Sequence, residues 1–479
     1  MATSVSHAPS TTDYRLGFQS LEDETAVERL PVRGELPAWL TGALVRVTPA
    51  KLEVGERRLK HWFDGLAMLN RFGFADGRVS YRSRFIESQT YRAARDGGEW
   101  TARGFATDPC RSIFKRVQSL FSSDLGDNTN VNLAQIGERY IAMTETPLPI
   151  EFDPKTLETL GAMRYADGLG GQVTTAHPHH DRERSELVNY TVSFGRQTEY
   201  RLYGLAAGTS TRRQIASHRV KEPAYMHAFG MSERYLILAE YPLRVNPLRL
   251  GFSGKPFIEN YRWRPEQGTR FLVFERETGA LRGSYETDAF FCFHHVNAFE
   301  RGSELVLDLL AYEDPQIIRS LYLDEKGPVG PTGRDLSAEL RRYRIDLDGG
   351  RVSSEPLADG TLELPRIDYG RHNTRDYSYA YFAGAEGDWF DQLVKVDVRD
   401  GSRAVWAEPG CHPGEPIFVR EPGASAEDAG VVLSVVLDAN AGRSFLLVLD
   451  AGTFEELARA EAPHHIPYGF HGTYLRGES

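Results

Sequence analysis

Cysteine is nearly missing from this chain. There are three in 479 residues, Cys110, Cys292 and Cys411, odd in number and far apart. No disulfide framework or zinc motif can be assembled from them, which fits a reducing compartment such as the cytoplasm. Positive charge is also in deficit. With 56 Lys and Arg against 67 Asp and Glu, the formal charge is −11, so nucleic acid is not expected as a partner. Long apolar runs are lacking, and none approaches the ~20 residues that cross a bilayer. Residues 1–13 are small and polar without the apolar centre of a signal peptide, and read as a disordered tail. Sustained helical periodicity is scarce, and nothing calls for an obligate protein partner.

What recurs is a short β-rich run, an acidic or Gly-containing turn, and a second β-rich run. It is read at residues 150–163, 271–285, 343–352, 393–406 and 446–462. Short strands with turn signals along a whole chain predict an all-β fold: sandwich, barrel or propeller. The irregular spacing of these hairpins suits propeller blades carrying insertions. No Pro/Ser-rich linker interrupts the chain, so 14–479 is expected to form one domain.

Two stretches break the pattern. In 110–121, Ile113, Phe114, Val117, Leu120 and Phe121 fall on one helical face, with Arg111, Lys115 and Arg116 largely off it. In 241–257, apolar residues alternate with Arg and Lys among Pro and Gly. Basic, apolar segments on an acidic protein suit a surface resting on lipid headgroups or an insertion packed on the core.

Four of the 14 histidines stand out by context. His177 precedes a proline, and His227 follows Tyr225-Met226 ahead of a strand-like run. His294 opens an apolar run, and His471 lies in the His-, Gly- and aromatic-rich segment 464–474. They are separated by 50, 67 and 177 residues, too far for a loop or helix motif but suited to ligands from separate blades converging on an axis. Imidazole suits Fe, Zn, Cu and Ni alike. His179, His180 and His295 are read as structural, because adjacent strand side chains face opposite ways. A metal-bound imidazole normally donates its second N–H to a carboxylate or carbonyl. Glu145, Glu363 and Glu415, each lone and within two residues of a proline, are the candidates.

Read together, these residues resemble the carotenoid cleavage oxygenase family. The likeness also takes in His61-Trp62-Phe63-Asp64-Gly65, Asn128-Thr129-Asn130-Val131-Asn132, His294-His295-Val296-Asn297 and Glu415-Pro416-Ile417-Phe418. Within the family the chain is most similar to the animal-type branch of β-carotene oxygenases and retinoid isomerases. The resemblance implies a seven-bladed β-propeller with a helical and loop cap over a metal site. One non-haem Fe(II) per chain would be held by His177, His227, His294 and His471, with Glu145, Glu363 and Glu415 behind them. His61 belongs to a family motif but not to the ligands. Thr144, Tyr225 and Phe63 would line the substrate cleft.

The implied reaction is cleavage of one C=C bond of a carotenoid or apocarotenoid by O2 into two carbonyl products, with central 15,15′ cleavage to retinal expected. A retinoid ester isomerohydrolase and a stilbene-cleaving dioxygenase are the other reactions this site could serve. Substrate would enter from a membrane surface through 110–121 and 241–257, on a cytoplasmic protein bound peripherally.

Overall fold

Among the described residues, seven sheets of four or more strands follow one another along the chain. In the computed structural model these are residues 13–100, 104–107, 126–195, 197–324, 327–328 and 338–477. The sheets are antiparallel and arranged as the blades of a β-propeller, as the resemblance implied. The 110–121 segment and residues 1–12 of the expected tail lie outside the described residues, and Asp13 opens a 3-10 helix, Asp13–Phe18.

The hairpins legible in the sequence are the outer two strands of blades, or in the seventh the two just inside its edge strand. In the second blade, Ile150–Phe152 pairs with Thr159–Ala162. In the fourth, Thr269–Glu275 pairs with Leu281–Thr287. In the fifth, Glu339–Asp346 pairs with Val352–Ala358, and in the sixth Gln392–Asp397 pairs with Arg403–Ala407. In the seventh, Arg443–Asp450 pairs with Glu456–Glu461. An aspartate ties several of these turns by accepting from the backbone two or three residues on. Asp153 takes Lys155 and Thr156, and Asp450 takes Gly452 and Thr453. This local Asx geometry is why so short a sequence unit could be read.

Both chain ends close the ring. Gly472–Leu475 adds to Gly42–Lys51 at the inner edge of the first blade. Val32–Gly34 pairs with Glu456–Glu461 at the outer edge of the seventh. Closure of this kind ties the two ends of the ring together and leaves only the short edges of the blades, and it carries His471 to the axis.

Inner strands are short and interrupted. In the third blade, Val173–Thr174 and His179–Asp181 both pair with Glu186–Ser193, leaving Thr175–Pro178 looped out between them. In the seventh, Cys411–Pro413 and Ile417–Arg420 both pair with Gly430–Asp438. The sixth slips register between Glu363 and Arg366, and the fifth between His295 and Asn297. Bulges re-aim side chains, and here they turn His177, His294, Glu363 and Glu415 toward the axis. Pro178, Pro365 and Pro416 stand where ladder N–H groups are not needed. Leu364 takes a left-handed backbone at φ 53°, strain that persists because flanking pairs fix it.

Candidate metal centre

Each blade delivers one residue to the axis. His471 precedes the inner strand of the first blade, Glu145 follows Arg139–Met143 of the second, and His177 interrupts the third. His227 precedes Gly230–Met231 of the fourth, His294 opens the fifth, and Glu363 and Glu415 stand in the sixth and seventh. The ligand atoms of the four histidines all lie within 4.8 Å of one another. His227, His294 and His471 are buried and His177 is half-buried.

Three imidazoles lean on three carboxylates. His227 Nδ1–H donates to Glu145 Oε1 at 2.8 Å, His294 to Glu363 Oε2 at 2.5 Å, and His471 to Glu415 Oε1 at 2.7 Å. Four histidines and three glutamates use up the seven blades, so His177 has no glutamate of its own among the described residues. Its backbone N–H instead donates to Thr175 Oγ1 at 3.0 Å.

The carboxylates are themselves held. Tyr225 O–H donates to Glu145 at 2.8 Å and Tyr312 O–H to Glu363 at 2.6 Å. Glu415 accepts from the Gly472 N–H at 2.9 Å and pairs with Arg366 at 2.8 Å, and Arg46 donates to its carbonyl at 3.0 Å. Burial would push the Glu363 carboxyl up, but His294 beside it, with the Tyr312 and Leu364 donors, leaves it below its ordinary value.

This arrangement tests the fit of a metal directly. A carboxylate only accepts, so it fixes the ring proton on Nδ1 and leaves Nε2 as a lone pair. The His294 and His471 Nε2 atoms then face each other at 3.2 Å, both as lone pairs, and the His227 Nε2 lone pair stands 3.0 Å from Nε2 of His177, whose ring proton no carboxylate fixes. Lone pair against lone pair is repulsive unless a cation stands between. A proton is a poor candidate, because burial first and the neighbouring histidines next hold His177 and His471 well below the ordinary imidazole value. Four neutral nitrogen donors suit a transition-metal ion.

One arm of the site is apolar. A cavity of about 300 Å³ reaches the rings of His227, His294 and His471 and is walled by Trp62, Phe63, Phe293 and Phe470. Phe63 therefore lines it. Tyr225 does not, its hydroxyl being turned to Glu145, and Thr144, half-buried, is not on its wall. Beyond the metal end the cavity reaches Tyr14 and Trp389, which stack at 6.2 Å.

The loop carrying Phe63 is fixed from several sides. His61 Nδ1 accepts from Phe63 N–H at 3.1 Å, and its other nitrogen meets the Ile318 carbonyl at 2.9 Å. Asn128 donates to Gly65 O at 2.9 Å, and Asn130 donates to Phe63 O and Gly65 O at 2.9 and 2.7 Å. The 61–65 and 128–132 motifs are thus two halves of one hydrogen-bonded unit. Trp62, Phe293, Tyr312, Phe470 and Arg366 escaped sequence reasoning. Phe293 and Phe470 each adjoin a ligand histidine, which was the available signal.

The neighbouring histidines have other partners. His179 meets the Phe229 carbonyl at 2.9 Å and Tyr369 O–H at 3.1 Å, and His295 meets Tyr241 O–H at 3.0 Å. Burial pushes His61 and His295 down to about 3 and His179 to about 4. The unfolded chain therefore takes up protons below about pH 6.5 that the folded chain refuses, and stability falls as pH falls. Burial of Asp64, raised to about 7, acts with the opposite sign but is one group against several. The unfolding midpoint of metal-free protein is expected to drop steadily from pH 7 to pH 5. A flat profile would show that these rings are hydrated.

Segment 241–257 folds as the short strand Leu243–Arg244 followed by the helix Pro247–Phe252, capped by the Asn246 side chain. Leu248 is 74% exposed beside Arg249. No helix among the described residues is long and apolar enough to cross a membrane. Cys292 and Cys411 are buried free thiols, and Cys110 lies outside the described residues.

Comparison with known proteins gives concordant matches. The family model described as retinal pigment epithelial membrane protein matches residues 18–476. The human carotenoid-cleaving dioxygenase, mitochondrial, is 34% identical over 94% of this chain and 90% of its own. Human beta,beta-carotene 15,15′-dioxygenase is 32% identical over 93% and 92%. Cobalt-substituted Synechocystis ACO superposes with a TM-score of 0.86 at 28% identity, covering 97% of this chain and 99% of that one.

Proposed function

This chain belongs to the carotenoid oxygenase family, and from that premise we propose that it is an Fe(II)-dependent dioxygenase cleaving one C=C bond of a carotenoid or apocarotenoid. The observation that carries the reading is the four-imidazole cluster, three of its rings turned lone pair inward by carboxylates, at the head of an aromatic-walled cavity. His177, His227, His294 and His471 would hold the iron, and Glu145, Glu363 and Glu415 would orient the rings. Iron bound there supplies redox activation of O2. The C=C bond breaks completely and each carbon keeps one oxygen atom, so two carbonyl products form.

The protein's own share is placement and exclusion of water. A polyene offers no polar handle midway, so Phe63, Phe293 and Phe470 must register it by shape. A cavity of about 300 Å³ is at the small end for ligand sites and suits one arm of a polyene. Because the site draws a residue from every blade, 14–479 acts as one unit. Segment 241–257, with Leu248 and Arg249, supports delivery of so insoluble a substrate from a membrane surface on the cytoplasmic side.

Central 15,15′ cleavage to retinal is the outcome we expect. Iron-loaded protein in mild detergent is given β-carotene and then an apocarotenal, in air and without O2, and the products are separated and weighed. Retinal formed only in air supports the reading. Longer apocarotenals would keep the chemistry and move the cut. No aldehyde from any polyene, with iron still bound, would sink it and direct the assay to retinyl esters and stilbenes.

A further inference from the structure

Asp64 is buried, 1% exposed, beside the metal-site wall but not on it. Its carboxylate gathers donors from one short segment: Phe105 N–H at 2.6 Å, Ala106 N–H at 3.2 Å and Thr107 Oγ1–H at 2.7 Å. Gly104 completes the wrap, because a Cβ there would stand 2.5 Å from Asp64 Oδ1. No arginine, lysine or histidine pairs with this carboxylate among the described residues. A buried carboxyl satisfied only by hydrogen bonds is costly compared with an apolar contact, so what it holds in place calls for a reason.

What it holds is a chain of aromatic rings in contact at tilted angles. Phe63, its neighbour in sequence, lines the cavity with its ring 6.1 Å from that of His227. Phe105 backs Phe63 at 5.0 Å and reaches Phe257 at 6.4 Å on the far side. The Ile258 N–H donates to the Phe105 carbonyl at 3.1 Å. The carboxylate thus ties the cavity wall, segment 104–107 and the end of the basic, apolar stretch into one piece.

We propose that Asp64 is a positioning residue that sets which double bond of the polyene stands at the four histidines, by holding Phe63 and Phe105 in one register. The inference rests on the polyene-cleaving reading above. Conjugated double bonds repeat along the substrate with no polar mark to tell them apart, so the wall alone sets the register. Misplacement by about 1 Å is enough to alter reactivity strongly.

Three variants of the full, iron-loaded chain test this on apocarotenals of graded length. Asp64→Asn puts an amide NH2 among N–H donors, and Gly104→Ala forces the wrap open. Phe105→Leu removes the backing ring while leaving the carboxylate knot alone, so it tests the wall even if the first two fold poorly. Expected are parental iron content and Co(II) absorption spectrum, a second aldehyde pair from an adjacent double bond, and a KM raised roughly 5- to 10-fold with a smaller change in kcat. A single unshifted cut in all three variants overturns the inference, as does activity lost only in proportion to lost iron. A parent that cleaves normally beside such variants sinks this inference alone. A parent that cleaves no polyene sinks the reading beneath it as well.

Discussion

His294→Ala is expected to leave the protein without bound metal and without detectable C=C cleavage, whereas His295→Ala keeps both. The two rings are adjacent in sequence and turn to opposite sides of the extended backbone. His294 offers Nε2 to the centre, 3.2 Å from His471 Nε2, while its Nδ1 holds Glu363. His295 spends its Nε2 on the Tyr241 hydroxyl at 3.0 Å. Losing His294 removes a ligand and also takes one of three donors from Glu363, 6% exposed. Leaving a buried acceptor short of a donor costs roughly 1–3 kcal/mol, so the alanine variant should also unfold at a lower temperature. Iron content by elemental analysis, aldehyde yield and the unfolding midpoint together decide the matter. Metal retained in His294→Ala, or lost in His295→Ala, would reassign the ligand.

That pair of residues also marks what the sequence makes legible. Outer hairpins could be read because each is local: an aspartate, a turn and two alternating runs, as at Asp153 and Asp450. Inner strands could not. Several are two or three residues long, and in four blades a bulge separates the residue at the axis from regular pairing. No periodicity survives a bulge, so His177, Glu363 and Glu415 carried only the indirect sign of a proline within an apolar run. Choosing these histidines and glutamates therefore leaned on spacing and resemblance. The hydrogen bonds of 61–65 with 128–132 are likewise invisible in one dimension, since Asn128 and Asn130 meet Phe63 and Gly65 across a span that includes segment 101–125. Tyr225 shows the same limit. Family resemblance made it a candidate for the substrate cleft, and one dimension does not show that its hydroxyl donates to Glu145, a carboxylate that receives only one imidazole N–H and has lone pairs to spare.

The bulges and the seven-fold closure have a joint consequence for the carboxylates. With one residue per blade, each glutamate must orient its histidine from a different blade, so its other contacts decide how firmly it is held. Glu145 is half-buried and Glu363 and Glu415 are buried. Glu415 takes three donors, from His471, Gly472 and Arg366, as Glu363 does from His294, Tyr312 and Leu364, whereas Glu145 takes two, from His227 and Tyr225.

Glu415→Gln is accordingly expected to weaken metal binding by about 100-fold, near the top of the 10- to 100-fold range for partners behind a metal ligand. Glu145→Gln should fall near the bottom of that range. A glutamine at 415 has one carbonyl oxygen to meet three donors and an NH2 group that can only donate. If the oxygen serves Arg366 and Gly472, the NH2 faces His471 Nδ1, and the ring proton moves to Nε2. An N–H then points at the centre where a lone pair is required, and the ligand is lost without the ring having moved. Glu145 escapes this outcome because its half-buried side chain has room to turn, and Tyr225 can accept the His227 proton, its hydroxyl lying 3.2 Å from Nδ1. Competition between Co(II)-loaded protein and a chelator, followed by absorption, gives both affinities. Equal losses in the two variants would mean that added negative charge, not the tautomer, is what the carboxylates contribute, and a stronger effect at Glu145 would overturn the ranking by burial.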